Sequence, residues 1–188
     1  MESVIPQHHP LRKLFETLTE RNFTETLSWL DFNVTDYLAN LLVEFTHIDR
    51  LRYIKNQKGQ AVETVVELLY ESEVNQDFDS SERKREVHRH IGDFTLFIAG
   101  LFPEYLSYLK SDGMIYHKDH LVDYMKAGKR SYNIVATFQQ GEFKEQPALF
   151  QKLSSNFELC VTGLGFVRQD LDRMGRPPYQ QTKSLLLN

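Results

Sequence analysis

The chain has 188 residues, 41% of them hydrophobic and 26% charged, which excludes a wholly disordered polypeptide and suits one domain with a single core. Its net charge of −4 offers no overall attraction to nucleic acid or an anionic membrane, and no stretch approaches the ~18 apolar residues of a membrane span. One cysteine, Cys160, excludes an intrachain disulfide and a cysteine-based zinc site; with no signal-peptide pattern in MESVIPQHHPLRKLF, the expected setting is the cytoplasm.

Every long periodic segment reads as helix, so the expected class is all-α: a helical bundle of about five principal helices plus short ones, occupying residues 1–174. An irregular lead with Pro6 and Pro10 precedes a short amphipathic helix marked by Leu11, Leu14, Phe15 and Leu18, and a second short segment covers Phe23–Leu30. Asn33 is the expected N-cap of a helix running to His47 or Arg52, with the apolar face Val34, Leu38, Leu41, Leu42, Phe45 and Ile48. Gly59 precedes a helix expected over Gln60–Val74, and the polar stretch Asn75–Ser80 reads as a loop.

Ser80 or Ser81 then caps a long helix that Pro103 must end, because a residue before proline is pushed away from helical geometry. Pro103 itself suits the first turn of the short helix PEYLSYLK, and Ser111-Asp112-Gly113 supplies a turn. Further helices are expected over His117–Phe138 and Pro147–Leu171. Residues 175–188, with two adjacent prolines and little periodicity, read as a flexible tail.

The long helix carries the most informative stretch, EVHRHIGDFTLFIAGLFPEYL. Val87, Ile91, Phe94, Ile98 and Leu101 form its core stripe, and Leu96 lies opposite, so the helix is apolar nearly all round. Such a helix is either central or covered by a partner, and the expectation is a homodimer. Asp93 stands at the entrance to this run, where an ionised carboxylate costs several kcal/mol unless it is satisfied, so it is expected to be buried and to accept from Lys129, Arg130, His120 or Tyr132.

Glu86, His90 and Asp93 occupy successive turns of one flank, whereas His88 points elsewhere, about 160° from His90. If His117, His120 and Tyr124 face them, a pocket of imidazoles and carboxylates suited to iron, manganese or zinc results. The plainer reading has His90–Asp93 and His120–Asp123 as local one-turn pairs, with Asp93 satisfied by an arginine or backbone amide and no cofactor at all.

Glu44 and His47 have the Glu-x-x-His spacing of di-iron bundles, but in one copy and off the apolar stripe, which fits solvated side chains. Cys160 lies within the stripe of Phe150, Leu153, Phe157, Val161, Leu164 and Leu171, as an inert small hydrophobe. Basic clusters at Arg83-Lys84-Arg85 and Lys129-Arg130 are diluted by Glu82, Glu86 and Asp123, which argues against nucleic acid. Gly163-Leu164-Gly165 lacks a dinucleotide fingerprint and fits close helix approach.

Three function classes follow. The leading one is a non-enzymatic interaction or scaffold protein that self-associates. A second is a metal-dependent enzyme or sensor using Glu86, His90, Asp93, His117 and His120. The third is a regulator that binds an anionic small molecule through Lys129, Arg130 and Arg89, with Ser131 and Tyr132 as hydrogen-bond donors; read instead as a polar network, the same region takes in Asp93 and Tyr124.

The phrases HIGDFTLFIAGLFPEYL, KDHLVDYMKAGKRSY and LSSNFELCVTGL, spread over the second half of the chain, resemble a family of bacterial all-helical proteins without an assigned activity. The resemblance implies a bacterial, soluble, helical protein and transfers no catalytic residue. It directs attention to Gly92, Asp93, Pro103, Glu104, His120, Gly128, Lys129, Arg130, Ser131 and Tyr132.

Overall fold

A computed structural model describes residues 9–56, 58–74, 80–111, 114, 116–120, 122–138 and 146–175. The expected lead at 1–8, most of the 75–80 loop, the Asp112-Gly113 turn and the tail beyond Gly175 lie outside these residues. Among the described residues the structure is all-α: α1 (Pro10–Arg21), a π-helical turn (Asn22–Thr26), α2 (Phe32–Phe45), α3 (Ile48–Leu51), α4 (Val65–Val74), α5 (Ser80–Leu101), α6 (Pro103–Leu109), α7 (Tyr124–Thr137), α8 (Pro147–Ser155) and α9 (Phe157–Met174).

The centre of the bundle is α5, which packs against α2, α4, α6, α7 and α9. Every residue from His90 to Phe102 is buried, and Leu96, the side chain on the far side of the core stripe, is 0% exposed. The all-round apolar character is therefore that of a central helix, covered within one chain. The expected second copy is not needed to shield Leu96 or Phe97.

Two glycines let the neighbours come this close. A Cβ at Gly92 would lie 2.5 Å from the Tyr132 ring, and one at Gly100 would lie 2.5 Å from Leu164. Each loses about 1 kcal/mol of helix propensity relative to alanine, and in return α7 and α9 pack directly onto the α5 backbone.

Pro103 ends α5 as its chemistry requires: Phe102 leaves helical geometry at φ −134°, ψ 52°, and Pro103 opens α6. Four other boundaries differ from the periodicity. Asp31, not Asn33, caps α2, its carboxylate accepting from Val34 N at 3.3 Å. Residues 60–64 are not helical, because the chain first turns at Gly59 (φ 76°) and pairs Lys55 with Ala61 before α4 begins at Val65.

Residues 117–120 likewise form a turn, and α7 starts only at Tyr124, where the Asp123 carboxylate accepts from Lys126 N at 3.1 Å. The segment expected as one helix from Pro147 is two. The break is at Asn156, whose backbone leaves helical geometry (φ −115°, ψ 28°) while its N–H and side-chain amide both donate to the Lys152 carbonyl, at 2.9 and 3.0 Å.

Candidate functional site

Three helices meet at Asp93. The carboxylate, only 7% exposed, lies on α5 one turn after Arg89, while α2 supplies Tyr37 and α7 supplies Tyr132. Both phenols donate to the same oxygen: Tyr37 Oη lies 2.5 Å and Tyr132 Oη 2.7 Å from Asp93 Oδ1. Arg89 Nε is 3.5 Å from Oδ2 and also donates to Tyr37 Oη at 3.3 Å, with its guanidinium 5.7 Å above the Tyr37 ring.

Aromatic packing fixes the two tyrosines. Phe150 of α8 meets Tyr37 edge-on at 5.5 Å and Tyr132 at 5.7 Å, and Phe157 of α9 lies 6.0 Å from Tyr132. Neither ring can swing away without opening a void, so the hydroxyls reach Asp93 already oriented.

Burial pushes the Asp93 carboxyl above its ordinary value, and Arg89 and the phenols pull it back. Burial, reinforced by the adjacent carboxylate, raises both phenols far above theirs. Arg89 is held charged, by the Tyr37 oxygen first and then by Asp93. The chemistry available is that of a clamp: a carboxylate whose lone pairs accept from two phenols, beside a guanidinium, tying α2, α5 and α7 together.

Of the expected partners of Asp93, only Tyr132 is one. Lys129 pairs with Glu158 at 2.7 Å, Arg130 is exposed, and His120 Nδ1 meets the Leu109 carbonyl at 2.8 Å. The local pair on α5 is Arg89–Asp93, not His90–Asp93, and Asp123 caps α7 instead of pairing with His120. The sequence reading missed Tyr37, which lies beside the apolar stripe of α2.

The candidate metal ligands do not converge. His90 Nε2 meets the Leu51 carbonyl at 3.2 Å inside a box of Phe45, Tyr53 and Phe94. Glu86 pairs with Arg83 at 2.9 Å, and His117 Nδ1 accepts from Asp119 N at 3.1 Å. Among the described residues no three His, Cys, Asp or Glu groups are placed to hold an ion.

The anion candidates are similarly dispersed along α7. Tyr124 Oη donates to Asp119 Oδ2 at 2.9 Å, and Ser131 Oγ lies 3.2 Å from His88 Nδ1. Cys160 is buried in the core, which pushes its thiol up to about 12 and leaves no reactive thiolate.

Asp119 is a second buried carboxylate that the sequence reading passed over. Oδ2 accepts from Val65 N at 2.8 Å and Oδ1 from Val66 N at 2.9 Å, so a residue 54 positions away caps α4. The signal was ambiguous because Asp119 stood inside an expected helix. Asp119→Ala should cost about 2 kcal/mol by leaving two amides and the Tyr124 hydroxyl without their acceptor, with hydrogen exchange rising first in the first turn of α4. Unchanged protection of Val65 and Val66 amides would refute this.

Two of the buried ionisable groups are histidines. His88 is 2% exposed, with Nε2 lacking a hydrogen-bond partner among the described residues, and burial brings it down to about 4. His90 is lowered to about 4 for the same reason, the Leu51 carbonyl offsetting part of the effect.

Compared with protein-family models, with curated proteins and with solved structures, the chain matches none of them.

Proposed function

We propose that this chain is a non-enzymatic helical interaction protein whose interior polar groups serve the fold and whose partners meet its surface. The observation that carries the reading is the closed Asp93 cluster: two phenols and a guanidinium of the same chain take up the one buried carboxylate that the sequence singles out. A bacterial origin and a cytoplasmic setting belong to the same proposal, the first from the resemblance and the second from the lone, buried Cys160. Among the described residues no helix is long and apolar enough to cross a membrane.

Self-association belongs to the same proposal, without the support of Leu96, which its own chain covers. The metal and anion readings predict ligand-dependent stability, because anything that binds the folded state alone raises its melting temperature. Thermal melts with iron(II), manganese, zinc, inorganic phosphate and a panel of nucleotides should show no shift above about 1 °C at concentrations near 1 mM. A rise of several degrees with one stoichiometric ligand would overturn the proposal.

A further inference from the structure

The entry to α2 leaves two large side chains with no polar atom in solvent: Leu30, at the end of the connection from α1, is 63% exposed, and Phe32, the first residue of α2, is 64% exposed. Of the other exposed large side chains, Tyr70, Tyr108 and Tyr116 each keep a hydroxyl that water solvates, and the purely apolar Val66 and Met174 are less exposed, at 38% and 44%. Leu30 and Phe32 flank Asp31, whose backbone is extended (φ −141°, ψ 98°). Both neighbours stand in solvent, while Asp31 turns inward to cap α2 and pair with Lys152 at 2.5 Å.

The pair is held rigidly. Phe23, on the π-helical turn, is fully buried against Gly163, where any Cβ would collide with its ring, and it stacks at 5.8 Å on the half-buried Trp29. Trp29 N donates to the Phe23 carbonyl at 2.9 Å, and Ser28 takes a left-handed φ of 53° to let the chain reach Leu30. The apolar pair is thus presented on an anchored platform.

Two exposed carboxylates lie on either side of it along the chain. Glu25, in the same connection, and Asp36, one helical turn beyond Phe32, are exposed and have no ion-pair partner among the described residues. Of the cations on this side, Lys152 is paired with Asp31, and Arg12, mostly buried, donates to the Asn40 side chain whose amide in turn donates to Asp36 at 3.2 Å. Building on the interaction reading above, we infer that Leu30 and Phe32 form a docking surface for a basic amphipathic segment of another protein, its apolar side chains covering the pair and its lysines or arginines meeting Glu25 and Asp36.

The test is an NMR titration of the full chain with a synthetic amphipathic helical peptide of leucine and lysine, alongside a leucine and glutamate peptide of the same pattern. Binding should shift the amides of Leu30, Phe32, Asp36 and Glu25, and the glutamate peptide should bind at least ten-fold more weakly. Leu30→Ser with Phe32→Ser should weaken the lysine peptide ten-fold or more at unchanged melting temperature, and Glu25→Gln with Asp36→Asn should weaken it several-fold and flatten its salt dependence.

No binding, or binding that the Leu30/Phe32 variant leaves intact, overturns the surface. Shifts confined to another face, such as Val66 and Tyr70, overturn it while leaving the interaction reading in place. A concentration-dependent mass abolished by the same variant assigns the surface to a second copy and overturns the basic partner. Stabilisation by a metal or phosphate in the melts above would instead defeat the broader reading, independently of the peptide.

Discussion

Asp93→Ala should lower the unfolding free energy by about 3 kcal/mol or more, because it leaves two buried phenols and a partly buried guanidinium without their acceptor while removing only one small side chain. The loss joins three helices at once. Asp93→Asn keeps the shape and an acceptor oxygen but not the charge opposite Arg89, so it should cost less than the alanine. Urea unfolding of the two variants checks both values, and an alanine variant within about 0.5 kcal/mol of the parent would mean that solvent replaces the clamp freely.

Acid should loosen the fold before the carboxylates themselves titrate. His88 and His90 lie at about 4 when folded and near the ordinary 6.5 when unfolded. Above pH 7 both are neutral in either state and contribute no pH dependence. As the pH falls from 6.5 toward 4, the unfolded chain takes up protons that the folded chain refuses, so stability drops, by up to about 3 kcal/mol per histidine, and levels below pH 4.

Asp93 runs the other way: its raised value means the folded state protonates first, which offsets part of the loss at the acid end. Asp31, Glu67, Asp123, Glu158 and Asp170 are lowered, so they add to the loss once the pH passes below the ordinary carboxylate range. Melting temperatures from pH 8 to 4.5 should be flat and then fall from about pH 6.5. Replacing either histidine with leucine should reduce that slope. A curve flat to pH 4.5 would show that both imidazoles charge freely in the folded protein.

Sequence made the central helix legible because its chemistry is extreme: a long apolar run with one carboxylate at its entrance has few ways to fold. Burial of Asp93 and its bond to Tyr132 follow from that, since Tyr132 lies on the apolar face of the next long helix. Tyr37 was hidden for a physical reason. It sits 56 residues away on α2, at the margin of a stripe whose leucines and phenylalanine account fully for that helix's amphipathicity.

Helix starts were the least legible feature. Asp31, Asp123 and the distant Asp119 each place a carboxylate on orphan amides, and those bonds decide where α2, α7 and α4 begin more firmly than apolar spacing does. The shift of α7 to Tyr124 also puts His117 and His120 in a turn, which separates them from His90. Leu96 was legible as apolar but not as to what covers it, because periodicity cannot tell a helix surrounded by its own chain from one covered by a second copy.

Interaction energy between Asp93 and Tyr132 is the most direct probe of the clamp. Unfolding free energies of Asp93→Ala, Tyr132→Phe and the double variant, combined as a cycle, should give a favourable coupling of about 1 kcal/mol or more, as expected for a buried bond to a charged acceptor. Additive effects, with no coupling beyond about 0.3 kcal/mol, would contradict a carboxylate held by its own helices.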